Sequence, residues 1–130
     1  MTTWNDLVQY VSSNYKISER TDSMLKLVFE TGSMRSQVVL VWHLTLDRGA
    51  EEWVQIESPF GEFGSVDLAA ALQQIGSTVC GGMALYGNLV TFRHSVPLAN
   101  LNINEFESPL ALVTSTADAL ERAFTGGDRF

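Results

Sequence analysis

A chain that does chemistry needs nucleophiles, general bases or metal ligands at workable spacing, and this chain is sparing with all three. Its only cysteine is Cys80 and its only histidines are His43 and His94. A Cys–His pair is the arrangement from which a thiolate nucleophile is built. Nothing local to Cys80 supports one here. The simpler reading is a reduced, half-buried small hydrophobe, with both histidines ordinary strand residues. Zinc asks for about four ligands at paired spacings, more than two His and one Cys supply unless carboxylates join. Glu51 and Glu52 are adjacent, and neighbouring side chains on a strand leave opposite faces, so they cannot work as an acid–base pair. Asp47, Glu51, Glu57 and Glu62 read as a solvated rim. The stretch Ser58-Pro59-Phe60-Gly61-Glu62-Phe63-Gly64 has neither the lysine nor the spacing of a phosphate-binding loop. No triad, cofactor fingerprint or aromatic–basic patch is visible. The expectation is a protein that binds rather than reacts: no enzyme, with no catalytic residue, no metal and no cofactor.

Composition narrows the partner. The chain has 130 residues, 45% of them hydrophobic, which suits one compact domain, taken as 1–125 with a flexible tail at 126–130. Charged residues make up 18%, below the usual quarter, so much of the surface must be neutral or apolar, as a partner interface would be. Fifteen acidic against eight basic side chains give a net charge of −7. That balance repels nucleic-acid phosphate and anionic lipid. One cysteine excludes an intramolecular disulfide. No basic, apolar leader opens the sequence and no run of about 18 apolar residues occurs. A cytoplasmic location and no membrane contact are expected.

The hydrophobic period supplies the framework. Thr3 and Asp6 have capping-box spacing, and Trp4, Leu7, Val8, Val11 and Tyr15 then recur on one helical face. From Met24 to Ser58 the period becomes two. Met24–Glu30, Arg35–Leu46 and Glu51–Glu57 read as strands joined by short turns, an antiparallel meander. One sheet face must meet the helices, and the other reads as mixed, with Val39, Val41 and Trp53 among polar residues. Ser58 to Gly64 reads as the turn ending the meander. Ser65 reads as the N-cap of a short helix, Val66 to Ile75, and Gly76 as the C′ residue that ends it. Met83–Tyr86 and Leu89–Val96 form a hairpin across Gly87-Asn88, with Gly where a type II′ turn needs positive φ. Asn102 and Glu105 cap a final helix whose apolar face, Ile103, Phe106, Leu110, Val113, Ala117, Leu120 and Phe124, keeps its phase across Pro109. One helix with a kink is expected there. The class is α+β, α-βββ-α-ββ-α, with one twisted antiparallel sheet of about five strands and three helices.

That order of elements resembles the type III secretion chaperone-like superfamily, with its CesT-type chaperones and YbjN-like proteins. Three segments carry the resemblance. Gly82-Met83-Ala84-Leu85-Tyr86-Gly87-Asn88-Leu89-Val90-Thr91-Phe92 looks like the family's hairpin. Val96-Pro97-Leu98-Ala99-Asn100-Leu101-Asn102 looks like its crossing segment before the last helix. Val54-Gln55-Ile56-Glu57-Ser58-Pro59-Phe60-Gly61 looks like the strand and turn before its second helix. The resemblance implies a homodimer that binds an extended or partly unfolded protein segment without catalysis. The alternative it leaves is a regulatory or small-ligand-binding protein on the same fold. Candidate partner contacts are Trp4, Leu7, Val8 and Val11 on the first helix, Val39, Val41 and Trp53 on the mixed sheet face, and Phe60 and Phe63 in the apolar loop. The candidate dimer surface is Leu68, Leu72 and Ile75 on the short helix with Val90 and Phe92 on the last strand.

Overall fold

The computed structural model describes residues 3–32, 34–125 and 130. The elements run α1 (Trp4–Asn14), β1 (Ile17–Arg20), β2 (Met24–Gly32), β3 (Arg35–Leu46), a 3-10 turn (Asp47–Gly49), β4 (Glu51–Glu62), α2 (Leu68–Ile75), β5 (Gly82–Tyr86), β6 (Leu89–Pro97) and α3 (Ile103–Thr125). The fold is α+β, with three helices and a six-stranded sheet in the order β1-β2-β3-β4-β6-β5. All neighbouring strands are antiparallel.

The helix ends follow the capping chemistry of the sequence. At α1, the Thr3 hydroxyl accepts the Asp6 N–H at 3.1 Å and the Asp6 carboxylate accepts the Thr3 N–H at 3.3 Å. At α3, Asn102 Oδ1 accepts from the Glu105 N–H at 3.0 Å and Glu105 Oε1 from the Asn102 N–H at 3.1 Å. Pro109 lies inside one continuous α3. It takes the donor away from the Glu105 carbonyl. Phe106 before it and Leu110 and Val113 after it bury on one face and hold both halves in phase.

Two expectations give way to local physics, and the sheet gains a strand at its edge. β1 is a sixth strand at the sheet edge, short and charged, with too little apolar alternation to announce itself. α2 starts at Leu68 with Asp67, not Ser65, as its N-cap, the Asp67 carboxylate accepting the Ala70 N–H at 3.1 Å. Gly76 closes it, as expected, at φ −57°. β4 runs on through Ser58-Pro59-Phe60 to Glu62, where a turn was expected. Proline is tolerated there because the β3–β4 ladder has already ended at the Leu40–Glu57 pair, so no β3 carbonyl asks for its missing N–H.

Phe130, expected in a flexible tail, is held in the fold: its carbonyl accepts the Val38 N–H at 2.7 Å and its N–H donates to Glu121 at 2.8 Å. Residues 126–129 of that tail lie outside the described residues.

Register decides which residues share a face. Leu25 sits opposite Val41, Val41 opposite Ile56, and Leu27 opposite Val39. These join Val54, Phe60, Val90 and Phe92, and the buried stripes of α1 and α3, in one core. Val39 and Val41 are therefore on the helix-covered face and fully buried. Trp53 lies on the opposite face, since it pairs with Leu44, one residue out of phase with His43 and Val54. The expected grouping of Val39 and Val41 with Trp53 placed them on the wrong side, because strand parity cannot be carried from one strand to the next without the register.

Candidate functional site

The sheet face turned away from the helices has no layer over it among the described residues. It carries Met24, Lys26 and Val28 from β2, Val38, Leu40, Trp42, Leu44 and Leu46 from β3, Trp53, Gln55, Glu57 and Pro59 from β4, and Thr91, Arg93 and Ser95 from β6. A face with two tryptophans and a row of aliphatic side chains is too apolar to be simply a wet surface.

The sheet partly covers that face by curling. Trp42 on β3 and Tyr86 on β5 have ring centroids 5.6 Å apart. β4 and β6 stand between their strands, so a flat sheet would separate them by about 14 Å at about 4.8 Å per strand step. The contact requires the open face to be concave. Inside the curl, Leu40, Glu57, Pro59 and Thr91 are buried although they lie on the face turned away from the helices. Thr91 donates its hydroxyl to Glu57 at 3.0 Å, and Arg93 lies 3.7 Å from the same carboxylate oxygen. The indole N–H groups of Trp42 and Trp53 are buried without a partner, an expense that a docked carbonyl would remove. A cavity of about 350 Å³ lies in the curl, between Met24 and Lys26 on one side and Tyr86 and Leu89 on the other, with Phe130 on its wall. Toward Leu44 and Leu46 the face flares open, and those two side chains are exposed.

The β3–β4 ladder also splits at the edge of this cavity. Upstream of Leu40 the strands diverge. Side chains fill the gap: Ser58 Oγ donates to the Val38 carbonyl at 2.5 Å, and the Gln37 amide donates to Ser58 Oγ at 2.8 Å and to the Pro59 carbonyl at 2.7 Å. Behind the split, Arg35 pairs with Asp118 at 3.0 Å and Glu121 at 3.4 Å, and Arg122 with Asp118 at 3.1 Å. Both carboxylates are buried in α3. Buried ions are costly unless paired, and Arg35 is their shared partner.

The sheet edges differ. β1 carries Glu19 and Arg20, charges that discourage strand addition. β5 is Gly82-Met83-Ala84-Leu85-Tyr86, with neither charge nor proline, and among the described residues it pairs only with β6. Close to it, Phe63, Leu72, Val79 and Leu85 are exposed.

A second concavity, a groove of about 520 Å³, lies between α3 and the end of β2. Tyr15, Phe29 and Leu110 supply apolar wall, and Glu107 sits in it. Both Glu107 oxygens accept phenols, from Tyr10 and, at 2.5 Å, from Tyr15. The hydrogen bond to Glu107, with some burial, pushes the Tyr10 phenol up to about 12. Burial and the same carboxylate raise Tyr15 further.

The predicted contacts distribute unevenly over this geometry. Trp4, Leu7, Val8 and Val11 are buried under α1, and Phe60 is buried at the end of β4. With Val39 and Val41 they belong to the core. Only Trp53 on the open face and exposed Phe63 remain accessible. Of the dimer set, Leu72 is exposed and Leu68 half-buried, whereas Ile75, Val90 and Phe92 are buried. Trp42, Tyr86, Met24 and Lys26 were missed. The first two are aromatics on strand faces, a visible signal, but only the curl brings them together.

The reactive candidates do not converge. His43 Nε2 is 2.9 Å from Glu52 and its ring stacks on Trp4 at 5.2 Å. Burial raises the Cys80 thiol, the opposite of nucleophile activation. Among the described residues no three His, Cys, Asp or Glu side chains group as a metal cage, and no helix is long and apolar enough to cross a membrane. No protein-family model matches this chain, and no curated protein matches it either.

Proposed function

We propose that this protein is a non-catalytic binder, a chaperone or adaptor that holds an extended segment of a partner protein against its open sheet face. The observation that carries the proposal is the uncovered, concave face itself, with paired aromatics and two buried indole N–H groups awaiting acceptors. An extended peptide satisfies such a surface: its carbonyls reach the donors and its alternate side chains enter the apolar pockets. The hairpin and crossing segments that resemble those of secretion chaperones point the same way, and the acidic balance favours a neutral or basic segment. The site moves from α1, which is core, to β3, β4 and β5.

The same reading makes the protein a homodimer through the uncharged β5 edge and the side of α2 that exposes Leu72. Val79, at 93% exposure, and Leu85 flank that edge. Light scattering of the purified chain is expected to give twice the monomer mass, and Leu85→Asp to halve it.

The groove beside α3 favours a second reading, a small-ligand or regulatory role, because its volume falls in the range of ligand pockets, about 300–1,000 Å³. A pull-down from native lysate separates the two. A stoichiometric protein partner is expected with the wild type and lost in Trp53→Asp, with Leu112→Asp on α3 unaffected. Recovery of a small molecule and no protein would refute the binder reading.

A further inference from the structure

The split between β3 and β4 exposes a strand edge in the middle of the sheet, and the chain itself has put a residue there. Val38 presents its N–H and carbonyl to the β4 side. Ser58 Oγ takes the carbonyl at 2.5 Å, and the N–H goes at 2.7 Å to the carbonyl of Phe130. The Phe130 N–H is taken by Glu121, a wholly buried carboxylate, at 2.8 Å. Phe130 also walls the cavity inside the curl, along with Val38, Leu40 and Pro59. One residue, far from β3 in sequence, thus has both backbone groups bonded and lies beside the apolar hollow. That is how one residue of a docked peptide strand is held. Beside it, Gln37 is wholly buried and leaves its Oε1 with no donor, an acceptor a longer docked segment can use.

We propose that the split beside Val38 is a docking slot for an extended segment bearing an aromatic side chain, and that Phe130 is the slot's occupant in cis, competing with such a segment from a partner. The inference rests on the binder reading and adds to it the place, the chemistry and a built-in competitor. The partner's residue supplies a carbonyl to Val38, an N–H to Glu121 and an aromatic ring to the hollow. A short tether holds a ligand at an effective concentration on the order of millimolar. If the same segment binds in trans with a Kd of about 0.1 mM, occupancy in cis weakens any competitor about 10-fold.

The test uses the chain's own segment as probe. A synthetic hexapeptide of residues 125–130, Thr-Gly-Gly-Asp-Arg-Phe, is titrated into the full chain and into a chain lacking 126–130, with backbone amides followed by NMR. The shortened chain is expected to bind the peptide with shifts at Val38, and the full chain to bind it about 10-fold more weakly. The peptide with Phe replaced by Ala is expected not to bind. Equal affinity for both chains, or no binding by a shortened chain that still unfolds cooperatively, overturns the slot. Should the shortened chain not fold, Phe130→Ala in the full chain replaces it. Faster Val38 hydrogen exchange and about 10-fold tighter peptide binding are then expected, and wild-type values for both overturn the slot. The outcome is independent of any lysate partner: a slot that binds the hexapeptide in a protein that recovers no protein partner defeats the binder reading alone.

Discussion

The two faces of the sheet are finished in different ways. On one, Leu25, Leu27, Val39, Val41, Val54 and Ile56 meet the stripes of α1 and α3, and everything apolar disappears. On the other, the sheet bends over itself, burying Leu40, Pro59 and Thr91 but leaving indole N–H groups unmatched and Leu44 and Leu46 in water. The first face buries its apolar side chains under helices, as folding alone demands, although Gln37 Oε1 on it also lacks a donor. The second leaves apolar side chains that no helix covers, and an uncovered apolar face is where a binding role is to be sought.

Substitution should separate the faces by energy. Phe92, fully buried beneath the helices, is expected to cost about 3–5 kcal/mol as Phe92→Ala, a large share of the roughly 5–15 kcal/mol typical of a domain. Leu44→Ala on the flared open face, at 40% exposure, is expected to shift stability by no more than about 0.5 kcal/mol. Urea unfolding of both variants measures the contrast. A large loss at Leu44 would mean that the open face is core after all.

A smaller effect tests the groove beside α3. The fold favours neutral Tyr10 and Tyr15 by raising their phenols, Tyr10 to about 12. A raised folded value means this stabilisation is fully present below the unfolded value near 10 and lost as pH rises through the folded one. Denaturant midpoints are expected to be flat from pH 8 to 9.5 and to fall above pH 10. Glu107→Gln, which removes the carboxylate that adds to both shifts beside burial, is expected to make the fall shallower. An unchanged slope would show that Glu107 does not hold the phenols.

What the sequence made legible was whatever is decided within about a dozen residues. The capping boxes at Thr3–Asp6 and Asn102–Glu105, the span of β3 and the phase of α3 across Pro109 are all local, and all are present. β1 escaped because four residues with two charges carry no usable period. β4 was cut short because Pro59 reads as a terminator unless one knows that β3 has already left its side. The α1 stripe was correctly a helical face, but a stripe does not say whether it meets a core or a partner, and Trp4, Leu7, Val8 and Val11 meet the core. The site was the least legible part. Its face depends on register between strands, its depth on the curl that joins Trp42 to Tyr86, and its slot on a contact between Val38 and Phe130 that spans most of the chain.

The central claim is that the open, curled face is where a partner strand lies. Hydrogen exchange of the protein alone and with its recovered partner tests it most directly. Added protection is expected at the β3 amides around Val38 and at the β5 amides 82–86, with α1 and the groove face of α3 unchanged. Protection confined to α1 and that α3 face, with β3 and β5 exchanging as before, would contradict it.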